Sequence, residues 1–386
     1  MPKRIFGKEE LELLKEVLDS GNLSALCGGQ LTPRFEREFA ATMGARYGVA
    51  MNCAMSVLHA SVITAGGGAG TEIICDPVAV FGAVATMYAN AIPVFVDIDP
   101  VSYVMDPAKL EEKITERTRA ILVTHIFGWT APMDRICAIA KKHNLIVIED
   151  TAQAILAKYK GRYAGAWGDI GSFSFQASKQ MGLGDGGMAI TSDEAIAKKL
   201  ALHAGAPTFM SVAHDLHYNY RMPEQTAAIG LAQLRRLPGY IEAVRRVARY
   251  YDQAIAGCQW IRPQYAADCE PTYYFWVGTF LGEEHGLKLD DFKRVAAEVG
   301  LTVNYGWTGM PAYKHPLIAK RLGYGKGCPL DCPLYEGTQN RYPDNLCPVA
   351  EWVMPRILLF RTFVHTPDEE CEANAAKLRQ VIERLS

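Results

Sequence analysis

The sequence predicts an α/β protein. A large domain over residues 1–238 is built on a mostly parallel central sheet, and a smaller α+β domain follows over 239–386. Three observations carry this. From Tyr47 to Asp150, short apolar runs alternate with helical stretches. The apolar runs are continuous rather than alternating, as in strands covered on both faces. After Met222 the texture changes to long helices, one aromatic run and an irregular stretch rich in Pro, Gly, Cys and Tyr. A chain of 386 residues can bury two such cores.

The elements read in order. Glu9 to Leu18 has helical spacing, broken by Ser20-Gly-Asn, and Pro33 to Met43 forms a second helix with Phe35, Phe39 and Ala40 on one face. Tyr47-Gly-Val-Ala-Met is a strand, and Ser56 to Ala65 a helix. Glu72-Ile-Ile-Cys, a helix after Phe81, Pro93-Val-Phe-Val-Asp97, a helix over Asp106 to Glu116 and Ala120 to His125 continue the alternation. Met133 to His143 is helical and Leu145 to Asp150 a strand. Helices over Pro223 to Leu237 and Tyr240 to Ala256 meet at a break at Leu237-Pro238, the expected domain boundary. Thr272 to Phe280 is strand-like, Lys288 to Val299 helical, Pro311 to Pro355 irregular, and a last helix runs from Pro367 to Leu385.

Composition narrows the function classes. Net charge is −2, with 49% hydrophobic and 21% charged residues, which suits a globular protein. No Lys/Arg block marks a nucleic-acid partner, and no apolar run is long enough to cross a bilayer. The N-terminal Met1-Pro-Lys-Arg-Ile-Phe-Gly-Lys lacks the apolar stretch of a secretory signal. The ten cysteines are scattered, several in apolar runs, and are expected to be reduced in a cytoplasmic protein.

Chemistry concentrates in Gly168-Asp-Ile-Gly-Ser-Phe-Ser-Phe-Gln-Ala-Ser-Lys179. Lys179 has small, aromatic and amide neighbours and no other charge until Asp185, a setting that depresses an amine's pKa. Asp150 closes an apolar strand upstream. Together they suit pyridoxal phosphate: the lysine as covalent anchor, the aspartate holding the ring nitrogen protonated. Gln153 lies one turn on and reaches for the ring hydroxyl, while Glu149 points to the opposite strand face as a structural residue. Phosphate donors are expected from Ser174, Ser178 and the strand-to-helix loop Asn52-Cys-Ala-Met-Ser56, with Ser56 and the amides of Ala54 and Met55 foremost. Phe81 is placed either against the cofactor ring or in the core.

Two further patterns invite other readings. Gly182-Leu-Gly-Asp-Gly-Gly187 matches a dinucleotide fingerprint, but the following Met188-Ala-Ile-Thr reads as a strand where that motif needs a helix. Cys328, Cys332 and Cys347, with His315 or His365, make a zinc set whose spacing lacks a close Cys pair. They are expected to be unliganded.

The chain resembles the DegT/DnrJ/EryC1/StrS sugar and cyclitol aminotransferases, within fold type I of the pyridoxal-phosphate enzymes. The resemblance rests on Phe35-Glu-Arg-Glu-Phe-Ala, Pro93-Val-Phe-Val-Asp-Ile-Asp, His125-Ile-Phe-Gly, Ile148-Glu-Asp-Thr-Ala-Gln153 and the Lys179 segment. It continues through Gly184-Asp-Gly-Gly187, Asn219-Tyr-Arg-Met222 and Ala227 to Leu234. It implies Lys179 as the cofactor's anchor, Asp150 as partner of the pyridine nitrogen and Ser174 as a phosphate ligand. It also implies that Asn219 reaches the neighbouring subunit's cofactor, hence a homodimer with shared active sites. The departures are Ala54 and Met55 where the family writes a glycine-containing loop, and Asp185 where it often has Glu. The implied reaction moves an amino group from glutamate or glutamine to a keto-sugar, nucleotide-linked or not, or to a keto-cyclitol. The family also holds dehydratases, of which the sugar 3-dehydratases replace the lysine by histidine, and aromatic-amine synthases, which also dehydrate and which Lys179 does not exclude; a regulatory protein that binds cofactor without turnover is a third reading. Tyr313, Tyr335, Arg341 and Tyr342 are expected to cover the acceptor.

Overall fold

The computed structural model describes residues 5–205, 217–331 and 342–386. At its centre lies a sheet of seven strands. These are β1 (Tyr47–Met51), β2 (Glu72–Cys75), β3 (Ile92–Phe95), β4 (Thr118–Thr124), β5 (Ile146–Asp150) and, beyond a hairpin of β6 (Lys158–Tyr159) and β7 (Arg162–Tyr163), β8 (Ile170–Ser174) and β9 (Gly187–Thr191). Their order is β1-β9-β8-β5-β4-β2-β3. Pairing is parallel from β3 through to β8, and β9 runs antiparallel to both of its neighbours. Ile73, Ile74, Ile121, Leu122, Val147 and Ile148 are buried, as the uninterrupted apolar runs require of strands covered on two faces.

Helices α1 (Lys8–Ser20), α2 (Leu31–Thr42), α3 (Ala54–Thr64), α4 (Val80–Tyr88), α5 (Met133–Lys142) and α6 (Glu194–Ala204) lead to the long α7 (Glu224–Ala254). The aromatic face of α2 packs on β8 and on Phe175 just beyond its end. The Phe39 ring lies 5.0 Å from Phe173 and 5.2 Å from Phe175. Beyond α7, strands β10 (Ile261–Pro263), β12 (Phe275–Phe280), β13 (Asn304–Tyr305) and β14 (Ile357–Arg361) form an antiparallel sheet ordered β10-β12-β14-β13, while β11 (Cys269–Glu270) joins the β6–β7 hairpin. Helices α8 (Leu289–Glu298) and α11 (Asp368–Leu385) share the core of that second sheet, and the short α9 (Pro316–Ala319) and α10 (Pro348–Val353) fall between them in the chain. No helix among the described residues is long and apolar enough to cross a membrane.

Three expectations need correcting. Helix α7 runs unbroken through Pro238, so the chain does not break at Leu237-Pro238. Leu234, Leu237 and Ile241 are buried in the core shared with α1 and α2, and that packing outweighs the one hydrogen bond a proline removes. The handover between cores falls further along α7, between Ile241 and Val247. Second, 106–116 is two 3₁₀ turns, Pro107–Lys109 and Glu111–Lys113, rather than a helix. Asp106 caps the first by accepting from Ala108 N–H at 2.9 Å. Lys109 is held by Asp97 at 3.1 Å, and Ile114 is already extended on its way into β4. Third, the irregular 311–355 stretch supplies Tyr313, Ile318, Cys347 and Val353 to the core of the large sheet. Helix α6 went unforeseen, although Asp193 is a plain cap for it, accepting from Ala195 and Ile196 N–H.

Candidate active site

The parallel strands deliver their last residues to one edge, where ligands of such sheets bind. Asp150 ends β5 there, only 4% exposed. Its Oδ1 accepts from Ala152 N–H at 3.0 Å. Burial raises its pKa, while that hydrogen bond and the charge of Lys179 oppose the rise. The neighbouring Glu149 is fully buried on the other strand face. Its carboxylate accepts from the N–H groups of Gly165, Trp167 and Gly168 at 2.6–2.8 Å and meets His125 Nε2 at 2.8 Å. Because His125 Nδ1 accepts from Ala131 N–H, the imidazole proton sits on Nε2 and points to Glu149. Glu149 is thus the structural residue the strand alternation predicts.

Lys179 follows β8 on a tight turn. Its N–H donates to the Gln176 carbonyl at 2.9 Å, and Phe175 N–H and Gly186 O close the base of the turn, also at 2.9 Å. The half-buried side chain extends over Tyr274, with Nζ 4.6 Å from the ring centroid. Ser178 Oγ and Tyr274 OH are 2.9 Å apart. Burial lowers the lysine's pKa from 10.5 to about 8, against the opposing pull of Asp150. The structure therefore brings Lys179 and Asp150 into electrostatic contact. Gln153 bridges to the same turn: its carbonyl accepts from Gln180 Nε2 at 2.9 Å, and its Oε1 accepts from Phe127 N–H at 2.8 Å. The amide NH₂ is the donor it has left to offer.

The third piece is the start of α3. Cys53 precedes it in extended conformation, and no side chain caps the helix. The N–H groups of Ala54, Met55 and Ser56 are its first three and are turned out of the helix. The loop needs no glycine, since Cys53 at φ −164° is ordinary extended backbone. Ser56 Oγ donates to Asn52 Oδ1 at 2.7 Å. Gly187 lies against this terminus: a Cβ there would sit 2.6 Å from Cys53 C and 2.8 Å from Ala54 N. Ser174 pairs with Gly187 across the sheet. Uncapped amides, a buried carboxylate near an amine, and a glycine-cleared approach fit a phosphorylated pyridine aldehyde.

The remaining expected residues divide. Phe81 is not in the core; its ring, in the first turn of α4, is 52% exposed. Asn219 is exposed, on a segment held to the α3 loop by Asn52 N–H donating to Tyr220 O. Tyr313 is not a surface ligand: it is 1% exposed, and its hydroxyl donates to Glu351 and accepts from Cys347 N–H. Tyr342 likewise spends its hydroxyl on the Pro93 carbonyl at 2.7 Å. Tyr335, Arg341 and Cys332 lie outside the described residues. The glycine-rich turn leads into β9, a strand, as Met188-Ala-Ile-Thr implied. Cys347 is buried and Cys328 half-buried, and no metal-holding cluster of His, Cys, Asp and Glu occurs among the described residues.

A cleft of about 530 Å³ opens between the Lys179 turn and the second sheet, lined by Ser178, Lys179, Tyr274, Phe275, Trp307 and Arg361 among others. Tyr274 and Trp307 were missed as site residues. Tyr274 sits just before β12, inside the aromatic run that reads only as strand.

Comparison with known proteins places the chain in a family. A model of the DegT/DnrJ/EryC1/StrS aminotransferase family matches residues 4–379. GDP-perosamine synthase of Caulobacter vibrioides is 34% identical over 338 residues, covering 85% of this chain and 90% of its own. UDP-N-acetyl-3-dehydro-α-D-glucosamine 3-aminotransferase of Acidithiobacillus ferrooxidans is 39% identical over 350 residues, covering 90% and 87%. The solved structure of an aminotransferase from Psychrobacter cryohalolentis superposes with a TM-score of 0.85 at 26% identity, over 100% of this chain and 99% of that one. With a family model spanning nearly the whole chain and relatives of this identity along most of it, the protein belongs to the DegT/DnrJ/EryC1/StrS family and is an aminotransferase of the fold type I architecture.

Proposed function

We propose that this aminotransferase binds pyridoxal 5′-phosphate at Lys179 and moves an amino group from glutamate or glutamine to a keto-sugar, nucleotide-linked by preference, or to a keto-cyclitol. The observation that carries this is one amine held near pH 8 beside one buried carboxylate, at the edge where the parallel strands end. Bound pyridoxal phosphate supplies the electron sink that lets an amino group be taken up and passed on.

The chain's own residues do the rest. Lys179, partly neutral at physiological pH, removes the proton from the donor's α-carbon and returns one to the acceptor's carbon. Asp150 would hold a protonated ring nitrogen, and its burial beside the Ala152 N–H keeps water from competing. The first amides of α3, with Ser56 and Ser174, would take the phosphate. Gln153 offers its NH₂ to the ring hydroxyl, and Phe81 offers an exposed face for stacking.

We place the active sites in a homodimer. Asn219 is exposed beside the α3 loop, and the exposed rings of Phe81 and Tyr88 lie on one helix, α4. The free thiols of the described cysteines support a cytoplasmic setting.

Lys179→Ala tests the assignment. The purified variant is expected to lack the visible absorbance of lysine-linked cofactor and to lose turnover, with an unchanged far-ultraviolet circular dichroism spectrum. Retained turnover overturns it. Loading the wild type with the amino form of the cofactor and offering keto-sugars, nucleotide-linked keto-sugars and keto-cyclitols identifies the acceptor by which of them restores the band.

A further inference from the structure

We propose that Tyr274 is a positioning residue for the Lys179 amine: its ring face holds the ammonium that forms when the lysine takes the donor's α-proton. This rests on the proposed function and names the group that steadies the lysine between its two proton transfers.

The contact is built rather than incidental. Lys179 Nζ stands 4.6 Å from the Tyr274 ring centroid, within reach of a cation over a ring face. Most other described contacts of this kind join close neighbours along the chain, such as Lys160 with Tyr159 and Arg356 with Trp352. This one joins two separate elements, and both neighbours of Lys179 tie them together. Ser178 Oγ and Tyr274 OH are 2.9 Å apart, and Gln180 Nε2 donates to Thr272 O at 3.4 Å. From the other side, Tyr274 N–H donates to Phe127 O and Thr272 N–H to Gly128 O, both at 2.9 Å. Gly128 permits that approach, since a Cβ there would lie 2.4 Å from Tyr273 N and 2.9 Å from Tyr274 N. The ring is thus fixed both by the lysine's own turn and by the turn that follows β4.

The phenol hydroxyl is already committed. Ser178 Oγ donates its hydrogen to Gln176 Oε1 at 2.6 Å, so the hydrogen between Ser178 and Tyr274 comes from the phenol. Tyr274 therefore offers the lysine its ring face, not a proton.

That face matters at one moment. When the C–H bond at the donor's α-carbon breaks, its proton goes to Nζ and its electron pair stays behind for the cofactor's electron sink. The neutral amine becomes an ammonium in a setting where burial disfavours charge. The electron-rich face of Tyr274 favours that ammonium without adding a base that could take its proton. The proton so held remains available to the acceptor's carbon.

The test replaces Tyr274 by Phe, then by Phe carrying one, two and three ring fluorines, which keep the ring's shape while draining its face of negative potential. In the cofactor-free full chain, the amine-labelling midpoint of Lys179 should fall stepwise, by about 0.4 to 1.5 pH units across the series. In the holoenzyme at about pH 9, above the lysine's value of about 8, the maximal rate of the donor half-reaction is read by stopped-flow absorbance. It should fall about 2- to 30-fold across the series, with the half-saturating donor concentration unchanged. The same series at Tyr273, whose ring packs 5.7 Å from Trp129 instead, should move neither readout. A midpoint and a rate that stay flat across the Tyr274 series overturn the proposal. So does an equal response at Tyr273, or a series in which only the half-saturating concentration moves, which makes the ring a wall for substrate. The parent reading fails separately: a wild type without the visible band of lysine-linked cofactor sinks the cofactor assignment, whereas a band with a flat series sinks only the role of Tyr274.

Discussion

Lys179 titrates far from where a lysine should, and that displacement can be measured on the cofactor-free protein. Burial brings its pKa from 10.5 to about 8. At pH 7 roughly one molecule in 11 then carries a neutral amine, against roughly one in 3,000 for an ordinary lysine, a gain of about 300-fold in nucleophile. The displacement is worth about 3 kcal/mol between the two protonation states. The folded value lies below the unfolded one, so the fold binds this proton less well. The charged lysine therefore weakens the fold below pH 8, and the penalty fades as pH rises from about 8 to about 10.5. The assay is pulse labelling with a limiting amine-selective reagent across pH, read at the Lys179 peptide by mass spectrometry. Lys198 serves as internal reference, because its exposed pair with Glu194 holds it above the usual range. Labelling at Lys179 should reach half its plateau near pH 8. Asp150→Asn removes the one charge that opposes the shift, so its midpoint should fall further. A wild-type midpoint at 10 or above, or an upward move in Asp150→Asn, refutes the reasoning.

Three other substitutions probe the frame around the site. Glu149→Gln puts an amide NH₂ against two of the four donors that meet the carboxylate. At about 1.5–3 kcal/mol per hydrogen bond to a charged group, roughly 3–6 kcal/mol of stability should go, measured by urea unfolding; a loss under about 1 kcal/mol contradicts the four-donor geometry. Gly187→Ala drives a methyl into Cys53 and Ala54, so fluorescence titration should show weaker pyridoxal phosphate binding, with inorganic phosphate no longer competing. Equal affinity would remove the α3 terminus from the phosphate site. Tyr313→Phe leaves Cys347 N–H buried without its acceptor, which should lower stability by about 1–3 kcal/mol while kcat and KM for the acceptor stay put; a raised acceptor KM would restore Tyr313 to the substrate site.

What the sequence made legible were features set by local chemistry. Uninterrupted apolar runs marked the parallel strands, and an acid at the end of one of them marked Asp150. A lysine among uncharged neighbours marked Lys179, whose depressed pKa comes from that setting. The features that escaped depended on partners distant in sequence. Nothing local in Tyr313 announces that Glu351 and Cys347 will claim its hydroxyl. Nothing in the aromatic run that leads into β12 separates Tyr274, which meets a lysine, from Trp276, which is buried with its indole N–H on Asp252. Pro238 misled for a related reason: the cost of a proline is local, but the burial of Leu234, Leu237 and Ile241 that outweighs it comes from α1 and α2.

The single antiparallel strand explains why the site takes its shape. If β9 ran with the others, its last residue would lie at the ligand edge and its first at the far side. Reversed, it presents Gly187, its first residue, beside Met51 and Ser174, the last residues of β1 and β8. The turn that makes the reversal possible is the one that carries Lys179. The same geometry forces the start of β9 under the start of α3, where a side chain would collide with Cys53 and Ala54. The glycine-rich turn is therefore a consequence of strand direction, needed both to double the chain back past the lysine and to let the α3 amides stand open above the sheet. Lysine, glycine and amides come together from one topological choice, while Asp150 arrives independently on β5.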